Sequence, residues 1–143
     1  MPLLEEIELK RIVMVKAVVT RQFKDNLIAE IKRGLRNVEG ELQSIAQQFM
    51  AMIEQARMDG ADEGVLAGMR SRLDEEMGKR NAAKADMERK VFEAQRLELG
   101  SEFTQGPLEG PVTVRLGENL YQRIGGVEIL VEDGEIREIR EAD

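Results

Sequence analysis

An apolar stripe with helical spacing runs through the first half of the chain and limits what the chain can fold into. Its members follow one another at steps of three or four residues, and from Leu35 onward the steps form strict heptads. This spacing places them on one helix face and favours packing against a second helix. The stripe consists of Phe23, Leu27, Ile31, Leu35, Val38, Leu42, Ile45, Phe49, Met52 and Ala56. We therefore predict a long helix with Thr20 as its N-cap.

A second helix is predicted after a break at residues 59–62. Gly60 is a good C-terminal stop for the first helix, and Asp62 is a good N-cap for the second. A weaker apolar stripe follows, made of Val65, Met69, Leu73, Met77, Ala83, Met87, Val91, Ala94 and Leu97. The short connection predicts an antiparallel hairpin over residues 20–99, with its tip near residues 59–62.

Small residues weaken the middle of the second helix. Each helical glycine costs about 1 kcal/mol relative to alanine, and the stretch from Gly78 to Ala83 has almost no large apolar group. The interpretation we favour is that these small residues pack closely against Val38 and Leu42. The alternative is a soft point at which the hairpin bends or admits a partner.

The hairpin also has apolar residues beyond its seam. In the antiparallel register Phe49 lies near Leu73 and Leu27 lies near Ala94, and this single seam buries little surface per residue. Further apolar residues lie beside the first stripe and indicate a second buried side, which we expect another copy of the chain to cover. The candidate oligomer or partner contacts are Ile28, Met50, Ile53 and Met58.

Four of the eight methionines cluster near the predicted tip, and they are Met50, Met52, Met58 and Met69. Methionine is adaptable, so it fills irregular cores as well as promiscuous contact surfaces. We favour the core role for this cluster, and the alternative is a protein partner bound at the hairpin tip.

Residue types that carry much enzyme and metal chemistry are absent. The sequence has no Cys and no His, and aromatic residues make up only 3%. These absences remove thiolate ligands, the commonest metal ligand and the commonest general base at neutral pH. We therefore expect no enzyme, no cofactor and no metal site. With no long apolar run and no signal-peptide pattern, we expect a cytoplasmic protein without membrane contact.

Charge is unevenly distributed along the chain. Residues 10–36 carry eight basic and two acidic side chains, whereas residues 100–143 carry four arginines against ten acidic side chains. The favoured interpretation is attraction between these two regions. The alternative is that the basic helix face contacts the phosphates of RNA. The candidate nucleic-acid contacts are Lys24, Lys32, Arg33 and Arg36.

The remaining segments, residues 1–19 and 100–143, predict one small β module. The stretch from Ile12 to Val15 is rich in β-branched residues, and a lone strand must pair with the C-terminal segment. The runner-up is that part of residues 7–19 extends the first helix backward. The predicted fold class is α+β, with a coiled-coil-like hairpin inserted between the first strand and a small C-terminal antiparallel sheet of about four short strands, curled into a partial barrel.

Turn signals divide the C-terminal segment. Residues 100–111 contain two Gly-Pro pairs and predict a turn-rich link. Alternating apolar residues predict strands that begin at Val112 and Val127. Residues 120–124 fit either a short helical turn or a strand. The Asp133–Gly134 pair matches a two-residue type I′ hairpin turn.

Three stretches resemble the YlqD family of small bacterial and cyanobacterial proteins. They are IVMVKAVVT at residues 12–20, leading straight into a helix, the long charged helical middle, and VRLGEN at residues 114–119 followed by EILVEDGEIREI at residues 128–139. Glu132 stands where the resemblance leads us to expect a lysine, which weakens any transfer of a phosphate-binding role. The resemblance brings no catalytic residues, and it implies an association with ribosomes or RNA.

We therefore expect a non-enzymatic structural or protein-interaction protein that self-associates through its hairpin. The alternative is an RNA- or ribosome-associated factor that uses the basic face of the first helix.

Overall fold

The computed structural model of the protein describes residues 1–141 and has a sheet with a long helical hairpin inserted after its first strand. The elements in chain order are β1 (Glu6–Val18), α1 (Arg21–Met58), α2 (Glu63–Gln95), β2 (Glu102–Arg115), α3 (Leu120–Ile124), β3 (Val127–Glu132) and β4 (Glu135–Glu141). The predicted α+β class and the inserted hairpin are confirmed. Residues 25–96 form one compact unit, and residues 1–24 with residues 97–141 form another.

The helix ends follow the capping signals in the sequence. The Thr20 hydroxyl accepts a hydrogen bond from the Phe23 N–H at 3.0 Å, and the Asp62 carboxylate accepts one from the Val65 N–H at 2.9 Å. Gly60 adopts a φ of +88°, a left-handed conformation that stops α1. The two predicted N-caps and the predicted stop are confirmed.

The two long helices pair antiparallel in the predicted register. Arg80 Nε lies 3.5 Å from a Glu41 carboxylate oxygen. A side chain added at Gly34 would lie 3.6 Å from Met87, so Gly34 marks a close approach between the helices. Val38, Leu66 and Ala94 are buried in this unit.

Two expectations for α2 are wrong. The stripe begins at Leu66, which is 2% exposed, whereas Val65 is 52% exposed. Gly78 does not pack closely against α1, because no atom lies within 4 Å of where its Cβ would stand, and the same holds for Gly68. Both errors have one cause. Successive side chains of a helix point about 100° apart, so the residue next to one that faces the seam points away from it.

The sheet has the strand order β2-β1-β3-β4 and is mixed. β1 pairs antiparallel with β2, and β3 pairs antiparallel with β4. The central pair, β1 with β3, is parallel, so the sheet is not antiparallel throughout as expected. The parallel pairing is possible because α3 separates β2 from β3 in the chain and lets β3 join β1 on its other edge.

The predicted link over residues 100–111 is instead the first part of β2, which starts at Glu102. Pro107 pairs with Met14 and Pro111 with Lys10, four residues apart, so both proline nitrogens point to the same side of the strand. β2 is an edge strand, so no strand lies on its outer side. Proline, which has no N–H to donate to a neighbouring strand, is tolerated there. Proline was therefore a misleading turn signal here.

The structure shows the conformation of two short stretches in the C-terminal segment, residues 133–134 and residues 120–124. Asp133 and Gly134 have φ values of +48° and +86°, as a type I′ turn requires, so this prediction is confirmed. The ambiguous residues 120–124 form the short helix α3. Its N-cap is Asn119, whose side-chain oxygen accepts a hydrogen bond from the Gln122 N–H at 3.1 Å.

One sheet face carries charges that join the two edge strands. Arg140 on β4 donates to both carboxylate oxygens of Glu102 on β2, at 2.6 and 3.2 Å. Between them, Lys16 lies 3.0 Å from Glu128. Because side chains stand roughly perpendicular to a sheet, a contact across two intervening strands requires the sheet to curl. This curl agrees with the predicted partial barrel.

Candidate functional site

Three of the four predicted nucleic-acid contacts present free charges on α1. Lys32, Arg33 and Arg36 are exposed, and none has a carboxylate partner within the described hairpin unit. Lys24 differs, because its ammonium donates a hydrogen bond to the Leu97 carbonyl at 2.9 Å. Seven other basic residues of the hairpin are paired with carboxylates, and these are Arg57, Arg70, Lys79, Arg80, Lys84, Arg89 and Lys90. Arg72 on α2 is also exposed and has no carboxylate partner within the described hairpin unit. The free cations are therefore concentrated over residues 32–36.

The predicted second apolar side of the hairpin is partly open. Met50 is 64% exposed, and Ile28 and Ile53 are half-buried. Ile28 and Met50 lie about six helical turns apart, and Ile53 follows after three further residues. All three therefore lie along one side of α1.

The second helix adds an aromatic ring to the same side. Glu39 on α1 lies about three turns after Ile28, so it is on the same side of α1 as Ile28. Glu39 pairs with Lys84 on α2 at 3.9 Å, so Lys84 identifies the corresponding side of α2. Phe92 lies about 2.2 turns after Lys84, so it stands about 80° further from the seam on this side of α2. It is 57% exposed, and the Arg96 guanidinium lies 5.2 Å from its ring centroid. We name this surface the lateral face, and it consists of Ile28, Met50, Ile53 and Phe92.

The methionines at the hairpin tip lie mostly outside the core. Met50, Met52 and Met58 are 64, 56 and 72% exposed, whereas Met69 is half-buried. The core role that the sequence favoured therefore fits only Met69. The binding of a protein partner at the tip stays a prediction.

Five carboxylates of the hairpin are engaged in capping or hydrogen bonding. Asp62 caps α2, and Asp59 accepts a hydrogen bond from the Gln55 amide at 3.1 Å. Hydrogen bonds from arginine lower the pKa of three other carboxyls, which are Glu54, Glu76 and Asp86. Carboxyls of this kind are ionised at neutral pH and are not general acids.

Residues 1–141 contain neither a metal-binding cluster nor a membrane-spanning helix. These residues contain no group of three or more acidic, His or Cys side chains arranged to hold a metal ion. None of the helices in this range is long and apolar enough to cross a membrane.

The sequence interpretation overlooked a polar notch in the sheet beside Arg11. The notch is bordered by Tyr121 and by the Gly125–Gly126 pair that precedes β3. Paired glycines were a signal for bare backbone at this point. Nothing local in the sequence indicated that Arg11 lies beside them, because that depends on where β3 joins β1.

Comparisons with known proteins agree with the fold. The family model described as YlqD protein matches residues 7–140. A crystal structure from Synechococcus sp. WH 8102, described as a protein of unknown function, is similar, with 25% sequence identity, 95% of each chain covered and a TM-score of 0.82. No match is found among curated proteins.

Proposed function

The chain belongs to the YlqD family, and on this premise we propose a non-enzymatic, cytosolic structural and interaction protein that self-associates through the lateral face of its hairpin. The observation that carries the proposal is the open apolar surface on a unit that has only two long helices. Two helices form one seam, and side chains beside that seam need another partner to be buried.

The lateral face has the composition of a helix-packing surface. It presents an aromatic ring, a flexible methionine and two β-branched side chains, and Phe92 and Met50 are more than half exposed. Aromatic and methionine side chains are enriched at the centre of protein interfaces. A second copy of the chain would cover this surface with an identical one, as in a two-fold symmetric dimer.

Two substitutions test the self-association. Changing Ile28→Glu and Ile53→Glu together places charges on the lateral face, and burying an unpaired charge in an interface is costly. We expect the double variant to be monomeric by light scattering, while its far-UV circular dichroism stays helical. The matched control is Gln48→Glu, which adds a charge to an exposed position on the opposite side of α1. A double variant with the mass of the unmodified protein would contradict the proposal.

A second candidate function is RNA or ribosome binding by residues 32–36, and the free charges there favour it. Lys32 and Arg36 are one helical turn apart, and Arg33 is adjacent, so the three present a compact positive surface. Each phosphate contact releases counterions, which makes such binding strongly salt-dependent and independent of sequence.

The salt dependence of RNA binding tests this candidate. We expect the triple variant Lys32→Ala, Arg33→Ala, Arg36→Ala to reduce the slope of log affinity against log salt by about 2 for single-stranded RNA, at about 0.7 per contact. The control removes three paired cations, Lys79, Lys84 and Lys90, and should leave the slope nearly unchanged. Equal slopes in both triple variants would contradict a dedicated contact at residues 32–36.

A further inference from the structure

A notch interrupts the sheet beside Arg11, because β3 joins β1 only from the pair Val13–Val127 onward. Beyond that pair β1 continues without β3, and the chain that leads from α3 into β3 closes the space. The result is a cavity of about 370 Å³, bordered by Arg11, Tyr121, Gln122, Gly125, Gly126 and Glu141.

Arg11 borders this cavity, and one donor of its guanidinium has no hydrogen-bond partner. Its Nε is shielded from solvent and donates no hydrogen bond in the described part of the chain. Arg80 and Arg123 also have a shielded Nε without a hydrogen bond. Their Nε atoms nevertheless lie 3.5 Å from Glu41 and 3.1 Å from Glu118, respectively. Arg11 has no such carboxylate within ion-pair distance among residues 1–141, so its shielded Nε–H has no partner.

The other walls suit a planar organic group. A side chain at Gly125 would place its Cβ 2.3 Å from the Tyr121 carbonyl oxygen, so this wall must remain bare backbone. Tyr121 itself is 79% exposed at the rim, with its ring free to be covered. An aromatic ring and an arginine beside one cavity bind an anion and stack on the group that carries it.

We propose that this notch binds an oxyanion attached to a planar ring, in which Arg11 holds the phosphate or carboxylate and Tyr121 stacks on the ring. Arginine matches both oxyanions because its planar fork donates two parallel hydrogen bonds. Glu141 stands on the rim and opposes the negative charge, so it weakens binding without occupying the site.

Calorimetric titration at constant ionic strength tests the site with three probes: phenyl phosphate, benzoate and inorganic phosphate. The two ring-bearing probes identify the favoured oxyanion, and phenyl phosphate should bind more tightly than inorganic phosphate. Arg11→Gln should weaken all three by about tenfold to a hundredfold, as expected for hydrogen bonds to a charged group. Tyr121→Leu should remove only the advantage of the ring.

Control variants separate the notch from general surface charge. Arg115→Gln removes an exposed arginine that pairs with Glu6, and it should leave binding unchanged. Arg11→Lys keeps the charge without the fork and should bind weakly, which gives a second variant if Arg11→Gln does not fold. Glu141→Gln should bind more tightly than the unmodified protein. The proposal is overturned by the absence of saturable binding, by equal losses in Arg115→Gln, or by binding that occurs only in Glu141→Gln.

Discussion

At the scale of single residues, glycine has two separate roles in this chain. Gly60 and Gly134 have positive φ values, which end α1 and form the β-hairpin turn. Gly68 and Gly78 are ordinary helical positions with open space where a Cβ would stand. Only Gly60 and Gly134 need glycine for their backbone conformation. Gly68 and Gly78 weaken α2, and no close contact with another element compensates for this.

Alanine at the open glycines should therefore stabilise the hairpin. Gly68→Ala and Gly78→Ala should each raise the free energy of unfolding by about 0.5–1 kcal/mol, because alanine restricts the unfolded chain and fits the helix. Urea unfolding followed by circular dichroism measures the change. Gly60→Ala is the control and should destabilise, since alanine is strained at a φ of +88°. Destabilisation by Gly68→Ala or Gly78→Ala would mean that another surface approaches these positions closely.

At the scale of elements, the sheet is held together across its edges by charge as well as by strand pairing. Arg140 joins β4 to β2 through Glu102, and its hydrogen bonds hold the pKa of the Glu102 carboxyl below its usual value of 4.5. A lowered pKa means that the folded sheet favours the ionised carboxylate. The stabilisation is therefore present above pH 4.5 and is lost as the pH falls through the lowered pKa.

A pH series tests this link between the edge strands. Glu102→Gln removes the ionised partner, so it should destabilise the protein at pH 7, and the difference from the unmodified protein should shrink steadily below pH 4.5. Urea unfolding of both proteins at each pH measures the difference. Glu109→Gln, an exposed position on the same strand, is the control and should show no such trend. A difference that does not change with pH would contradict the role of the ion pair.

Elements with local signals could be predicted from the sequence, and those that depend on distant contacts could not. Some signals lie close in the chain to the structure they determine. They are the heptad spacing, the N-caps Thr20 and Asp62, and the Asp133–Gly134 turn, and the structure has the helices and the turn that they predict. Residues 102–111 carry turn signals yet form a strand, because the edge of a sheet tolerates proline. The parallel pairing of β1 with β3 likewise has no local signal.

The same division applies to the candidate sites. The exposure of Lys32, Arg33 and Arg36 could be predicted, because these three residues fall outside the apolar stripe of α1. The bond from Lys24 to Leu97 could not, since it joins residues that are 73 positions apart. The Arg11 notch was overlooked for the same reason, as it is assembled from β1, α3 and the segment before β3.

At the scale of the whole molecule, the proposed self-association depends on the apolar side chains that the hairpin leaves exposed. The hairpin unit buries few side chains, and the lateral face leaves Met50 and Phe92 largely exposed. Contact through apolar side chains is insensitive to salt, whereas contact between opposite charges weakens as salt is added. Association through the lateral face should therefore persist at high ionic strength.

The solution mass of the unmodified protein decides whether the chain self-associates. Light scattering over a range of protein and salt concentrations should give a dimer or larger species, formed more fully at higher protein concentration and retained in high salt. The chain has a mass of 16.2 kDa. A constant mass of one chain under all conditions would contradict self-association and leave the lateral face to a different partner.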